Sequence, residues 1–233
     1  MKVTQHGSNL WKLTRLFVFN CYLVREDDGL TLVDTGMVGS GKDILKAADD
    51  IGLPITRVAL THAHGDHVGS LDEVCKQLPG VEVAFTQRTA DFLQGNLELR
   101  PDEPLAELRG GFVDRATRAT RLIASGENVG SLRVVPAPGH TPDQVVFLDE
   151  RDGTLIAGDA FQTQGGIAVA GVRRWLFPLP AMATWHLPTA LESAVALRQL
   201  NPARLAVGHG GVLEEPLAQM DEAIRAAEAK VSG

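Results

Sequence analysis

The stretch "THAHGDHVGS", Thr61 to Ser70, holds His62, His64, Asp66 and His67 almost side by side, in a chain that has seven histidines in all. Imidazoles crowded this closely repel one another once protonated. They are compatible neighbours when neutral and sharing a cation. Gly65 in the middle of the cluster argues for a turn rather than a continuous helix. Metal binding then requires further ligands elsewhere in the chain.

Outward from the cluster, "ITRVALTH" reads as a strand running straight into it. On its far side Leu71, Val74, Cys75 and Leu78 recur at helical spacing until Pro79-Gly80. Upstream, "RLFVFNCYLVRE" and "GLTLVDTG" read as two strands joined by the turn "DDG". "GKDILKAADDIG" has Ile44, Leu45 and Ala48 on one helical face and stops at Gly52. Downstream, "VEVAF" is a further strand. Residues 87–125, charged and carrying Phe92, Leu93, Leu105, Leu108 and Phe112, read as a helical excursion over one edge or mouth. Strands return in "SLRVVPAP", "QVVFLDE" and "GTLIAGDAF". The glycine-containing segment 161–186 comes next, then the helix "PTALESAVALRQL", the strand "RLAVGHGG" and a last helix with Leu217, Met220 and Ile224 on one face. Two roughly matching halves of strands and helices suit sheets buried against outer helices. No composition shift marks a boundary, so residues 1–233 are read as one domain.

The missing ligands have a common address. His140 in "PAPGHTPDQ", Asp159 in "TLIAGDAF" and His209 in "LAVGHGG" all stand where a strand ends in a turn, as His62 and His64 do. Side chains at neighbouring strand ends converge above one sheet edge. A catalytic zinc site takes imidazole and carboxylate ligands and keeps a position for water, and a two-metal site needs more ligands and a bridge. Five histidines and two aspartates at such junctions point to a metal centre rather than to unrelated structural roles.

Together "HAHGDH", His140 in "PGHT", Asp159 in "AGDAF" and His209 in "GHGG", with "LVDTG" near the start, resemble the metallo-β-lactamase superfamily of metallohydrolases over nearly the whole chain. The resemblance implies an α/β fold, a four-layer αβ/βα sandwich of two mixed β-sheets flanked by helices. It implies that His62, His64 and His140 hold a first metal, that Asp66, His67 and His209 hold a second, and that Asp159 bridges them. Two Zn²⁺ per chain are expected, with Fe compatible with the same ligands. Asp34 matches an aspartate that orients ligating groups from behind. The chemistry implied is hydrolysis of a small ester, thioester, lactone or amide by metal-bound hydroxide. Asp66 is the candidate for proton handling, because a carboxylate ligand can reorient and pass a proton.

Subclasses are weighed on single residues. Lactonases of the acyl-homoserine-lactone type place a tyrosine three residues beyond the bridging aspartate, where this chain has Gln162. A mononuclear iron sulphur dioxygenase acting on persulphides is the alternative of another class, using the equivalents of His62, His140 and Asp159. Segment 161–186 succeeds the bridging position and is expected to line the pocket, with Gln162, Arg173, Arg174, Trp175 and His186 as candidate substrate contacts.

Bulk properties narrow the partners. A formal net charge of −7 disfavours nucleic acid. No apolar run is long enough to span a bilayer and no signal-peptide core opens the chain, so a cytoplasmic enzyme acting on a small molecule is expected. Cys21 and Cys75 both fall in apolar patterns and read as buried free thiols. "GMVGSGKD", Gly36 to Asp43, approaches phosphate-loop spacing but ends in Asp43 where a hydroxyl is needed. It reads as a strand-to-helix turn.

Overall fold

A computed structural model describes residues 1–233. The first half runs β1 (Lys2–His6), β2 (Leu10–Arg15), β3 (Phe19–Glu26), β4 (Gly29–Val33), α1 (Gly41–Ile51), β5 (Ile55–Ala59), α2 (Gly65–Val68), α3 (Leu71–Gln77), β6 (Glu82–Phe85), α4 (Gln87–Leu93) and β7 (Arg121–Leu122). The second runs β8 (Asn128–Val129), β9 (Leu132–Pro136), β10 (Val145–Asp149), β11 (Thr154–Ile156), β12 (Phe161–Gln162), β13 (Ala168–Val169), α5 (Leu179–Met182), α6 (Leu187–Gln199), β14 (Arg204–Ala206), β15 (Leu213–Glu214) and α7 (Leu217–Ser232). Strands β1 to β7 lie in sequence order in one sheet, and the second sheet has the order β15-β14-β11-β10-β9-β8. Both are mixed: β1 to β4 pair antiparallel and β4 to β7 parallel, while β11 and β14 are the parallel pair of the second sheet.

Strand alternation creates the layers. On β3, Cys21 and Leu23 face a core shared with α1 and α3, whereas Tyr22 and Val24 face the opposite sheet. On β10, Val146 and Leu148 pack with α6 and α7, whereas Val145 and Phe147 turn inward. Val58/Ala59 on β5, Leu155/Ile156 on β11 and Leu205/Ala206 on β14 divide the same way. The result is three apolar layers between four slabs: helix, sheet, sheet, helix, as expected from the resemblance. Strands buried on both faces explain why these runs read as continuously apolar.

Two elements differ from the expectations. The run 15–26 is not one strand. Leu16 (φ 47°) and Phe17 (φ 68°) are left-handed and reverse the chain between β2 and β3, with Phe17 94% exposed at the tip. Its apolar residues hid the turn, since no glycine or proline marks it. The helical excursion over 87–125 is confined to α4. Gly95 (φ 80°) stands just past its C-terminal cap, Pro101 and Pro104 prevent a further helix from forming, and residues 94–120 make an irregular loop. Polar anchors hold that loop in place of a helical ladder: Arg88 pairs with Glu103 at 2.6 Å, Arg100 with Asp91 at 2.7 Å, and Asp72 accepts from the Thr117 amide at 2.7 Å. Cys21 is buried, Cys75 half-buried, and both are free. No helix is long and apolar enough to cross a membrane.

Candidate metal centre

Each site side chain leaves the end of a strand on one rim of the sandwich. Asp34 follows β4, His62 and His64 follow β5, His140 follows β9, Asp159 follows β11 and His209 follows β14. Backbone bonds tie the two sheets together at this rim: Asn20 donates to the Gly208 carbonyl at 2.9 Å and Val145 to the Thr61 carbonyl at 2.9 Å. Asp66 and His67 ride on α2, a single turn that starts at Gly65, so the expected turn is a short helix.

All seven expected residues converge. Three overlapping groups, His62/His64/His140, His62/His67/Asp159 and Asp66/His67/His209, each offer ligand atoms within 4.8 Å of one another. Two nitrogens bound tetrahedrally to one zinc lie about 3.3 Å apart, and His64 Nδ1 and His140 Nε2 are 3.0 Å apart. The Asp159 carboxylate faces both ends, with Oδ2 3.4 Å from His140 Nε2 and 3.0 Å from His209 Nε2, and Oδ1 3.2 Å from His67 Nε2.

The protein fixes which nitrogen points inward. The Thr61 hydroxyl donates to Asp34 Oδ2 at 2.7 Å, so it accepts from His62 Nδ1 at 3.0 Å. The Thr184 hydroxyl donates to the Pro180 carbonyl at 2.7 Å and accepts from His140 Nδ1 at 3.1 Å. His64 Nε2 donates to the Arg109 carbonyl at 2.9 Å and His67 Nδ1 to Asp34 Oδ2 at 2.7 Å. Four imidazoles thus give their N–H to an outer acceptor and leave a lone pair facing the centre, the tautomer a metal ligand needs. His62 Nε2 and Asp159 Oδ1 are buried without a hydrogen-bond partner. Buried orphans of this kind fit a cation. His209 is the exception: its Nδ1 has no acceptor, and its ring is held between Phe19 and Phe177, each 5.3 Å away.

Electrostatics divide the imidazoles differently, with His67 and His209 raised and His62, His64 and His140 lowered. Burial, reinforced by neighbouring imidazoles, holds His62 and His140 well below the ordinary histidine range. For His67 burial acts in the same direction, but the carboxylates of Asp159, Asp34 and Asp66 override it and raise the imidazole well above that range. Burial raises the Asp159 carboxyl, and His209 and His67 reverse this to bring it well below the usual carboxylate range. A pocket negative enough to draw a proton onto His67 also attracts a divalent cation, which binds with proton release.

Asp34 is the knot behind the centre. Its carboxylate accepts from the Thr61 amide at 2.8 Å, the Thr61 hydroxyl and His67, and its own φ of 61° turns it there. Two glycines make room. A Cβ at Gly208 would run into the Asp159 carboxylate, and one at Gly110 into the His64 ring.

The centre opens into a cavity of about 300 Å³ lined by Phe19, His64, Asp66, Gly110, Gly111, His140, Asp159, Leu179, Pro180, Met182, Ala183 and His209. Segment 161–186 contributes to this wall, but through Leu179 to Ala183. The polar residues expected from it have other neighbours. Gln162 is buried and donates to the Phe177 carbonyl at 3.4 Å, Arg173 stacks on the exposed Trp175 at 5.0 Å, and Arg174 binds the Ile167 carbonyl. His186 caps α6, its Nδ1 accepting from the Thr189 amide at 3.4 Å and lying 2.8 Å from Thr189 Oγ1. Flanking charge and aromaticity in the sequence pointed at the surface, whereas the wall is aliphatic. Phe19 and Gly110-Gly111 were missed because a remote hairpin and an irregular loop carry them. The phosphate-loop resemblance is resolved by Glu73, whose carboxylate accepts from the Gly41 amide at the start of α1 at 3.3 Å.

Comparison with known proteins agrees with this geometry. The family model described as "Metallo-beta-lactamase superfamily" matches residues 15–209. "Uncharacterized protein YobT" of Bacillus subtilis (strain 168) is 47% identical over 98% of this chain and 99% of its own length. "Atrochrysone carboxyl ACP thioesterase dmxR1" of Cryptosporiopsis sp. is 26% identical over 76% of this chain, which spans 48% of that protein. Among solved structures, that of the DIM-1 metallo-beta-lactamase superposes with a TM-score of 0.73 at 18% identity, covering 98% of this chain and 97% of that one, a likeness of fold. With its convergent histidine and aspartate cluster, its two mixed sheets and this family match, the chain belongs to the metallo-beta-lactamase superfamily and is a metal-dependent hydrolase.

Proposed function

We propose that the chain is a dinuclear-zinc hydrolase of a small ester or thioester, with lactones and amides as related carbonyl substrates. One observation carries the reading: seven candidate ligand side chains converge, five of them lining one cavity, and four imidazoles of the set have a hydrogen-bonded outer nitrogen and the other turned inward. His62, His64 and His140 would hold one cation, Asp66, His67 and His209 the other, and Asp159 would be shared. A cation pair in this position supplies Lewis acidity and brings the pKa of water towards neutrality.

The chain's own groups supply the remainder. Asp66 lines the cavity with its side chain 28% exposed. It is the one carboxylate of the set within reach of solvent, which suits it to take a proton from the attacking water and pass it on. Leu179, Pro180, Met182 and Phe19 form an apolar wall suited to an acyl group. The carrier-protein thioesterase named among the relatives supports an acyl thioester as substrate. Lactone specificity of the acyl-homoserine type is disfavoured because Gln162 stands at the tyrosine's position and does not line the cavity. A single-iron dioxygenase would use His62, His140 and Asp159 and leave His64, Asp66, His67 and His209 without a task.

Metal analysis with a substrate panel tests the reading. About two zinc ions per chain are expected, together with turnover of p-nitrophenyl esters or thioesters that chelation abolishes. Asp159→Ala lowers occupancy of both positions and His209→Ala mainly the second. One iron per chain with oxygen uptake on a persulphide, or full occupancy in both variants, overturns it.

A further inference from the structure

A second cavity, of about 440 Å³, lies on the other side of the β2–β3 turn and is lined by Lys2, Thr4, Lys12, Thr14, Arg15 and Phe17, together with Met1 and Leu16. Its composition is anomalous. In a chain of net charge −7, three cationic side chains line it and no carboxylate does. None of the ion pairs in the structure involves Lys2, Lys12 or Arg15, although most arginines elsewhere are paired; the Met1 ammonium is held by Asp43 at 3.0 Å.

The clustering is a consequence of register. β1 and β2 pair antiparallel with Lys2 opposite Thr14 and Thr4 opposite Lys12. Alternation therefore brings both lysines and both threonines to one face, while Trp11 and Leu13 enter the core from the other. Burial, and after it the nearby Lys2 ammonium, lowers the Lys12 pKa. Arg15 uses Nη1 on the Val38 carbonyl and Ser40 Oγ, both at 3.1 Å, which leaves Nε and Nη2 without partners.

The groove adjoins the metal centre. Lys12 Nζ donates at 3.2 Å to the carbonyl of Gly210, the residue directly after His209. Arg15, Leu16 and Phe17 line the groove, and two residues on Phe19 lines the metal cavity. One short turn therefore separates a cationic trough from the reacting carbonyl's place.

We propose that this groove is an anion subsite that takes the phosphate of the substrate's leaving group, so that the preferred substrate is an acyl ester or thioester of a phosphorylated small alcohol or thiol. The inference rests on the hydrolase reading. Ammonium groups act as point charges towards phosphate, the free edge of Arg15 offers directed donors, and the hydroxyl of Thr4 completes the set, that of Thr14 being given to Asn20 Oδ1 at 2.8 Å. The acyl group then lies along the aliphatic wall and the phosphate across the turn.

A minimal substrate pair tests it: S-acetylpantetheine and S-acetyl-4′-phosphopantetheine, which differ by one phosphate, hydrolysed by the metal-loaded protein. The ratio of their kcat/KM values should favour the phosphorylated compound by about tenfold or more, mostly through KM. It should fall in Lys2→Gln, which touches no site residue, collapse in the Lys2→Gln/Lys12→Gln double variant, and persist in Lys76→Gln on α3. A ratio near one in the unaltered protein, or a preference that survives the double variant, overturns the subsite. If neither thioester is hydrolysed, the thioester part of the hydrolase reading fails on its own and amide chemical shifts on titration with 4′-phosphopantetheine decide the groove. Shifts centred on β1 and β2 support it, and shifts absent or confined to the histidine cluster overturn it.

Discussion

Replacing Asp34 by asparagine separates the two metal positions. The carboxylate accepts three hydrogen bonds, from the Thr61 amide and hydroxyl and from His67 Nδ1. Asparagine tolerates the left-handed backbone, so the φ of 61° adds no strain of its own. A carboxamide has one acceptor oxygen, however: with it on the Thr61 amide, the NH₂ takes the place of Oδ2 and faces both the Thr61 hydroxyl and the imidazole. With the oxygen kept on Thr61, His67 loses its acceptor and moves its proton to Nε2, taking the lone pair away from the centre. Loss of an outer carboxylate partner lowers metal affinity about 10–100-fold, or about 1.4–2.7 kcal/mol. The first position is reached only indirectly, through the Thr61 hydroxyl, which loses the same acceptor and no longer has its proton held away from His62 Nδ1, so its affinity falls less. Losing one charge-assisted bond also costs about 1.5–3 kcal/mol of metal-free stability. Competition with a chromophoric chelator reads the two affinities separately, and thermal melts of the stripped protein read the fold. Two unchanged affinities would refute the tautomer argument.

Two other outcomes rest on the same geometry. Gly110→Ala places a methyl group on the His64 ring at a φ of 91°; affinity at the first position should fall by about tenfold or more, whereas Gly111→Ala, with open space around it, should titrate like the unaltered protein. Equal titrations in both variants would mean that the 94–120 loop does not constrain His64. Asp143 is buried beside Thr89, and burial pushes its carboxyl from 3.8 up to about 6. A raised folded-state pKa favours the native state below the unfolded value and loses that contribution as pH climbs through about 6. The neutral acid therefore contributes on the order of 3 kcal/mol at low pH that is gone by pH 8. Urea melts of the Asp143→Asn variant and its parent, taken at pH 4 and pH 8, should diverge in favour of the variant at the higher pH; a pH-independent difference would count against a buried carboxyl.

Much of the candidate centre was legible because its residues are marked locally. His62, His64, Asp66 and His67 are contiguous, and His140, Asp159 and His209 each sit between an apolar strand and a glycine-marked turn. The layers were legible for a related reason, since strands buried on both faces must be apolar along their length. The 94–120 loop was misread because scattered leucines and phenylalanines imitate a helical face, while Pro101, Pro104 and Gly110 deny the backbone a continuous ladder.

Residue order alone thus picked out the side chains that converge at the candidate centre, because residue type and strand-end placement are properties of short segments. Only the tertiary structure decided which imidazole nitrogen faces inward, which residues wall the cavity, and that Lys2, Lys12 and Arg15 share a groove beside His209. Tautomers are set by acceptors such as Asp34, Arg109 and Thr184, remote in sequence from the rings they hold. Cavity walls and cationic grooves are assembled where sheets, turns and loops from distant parts of the chain close on one another, and no short window of residues encodes that closure.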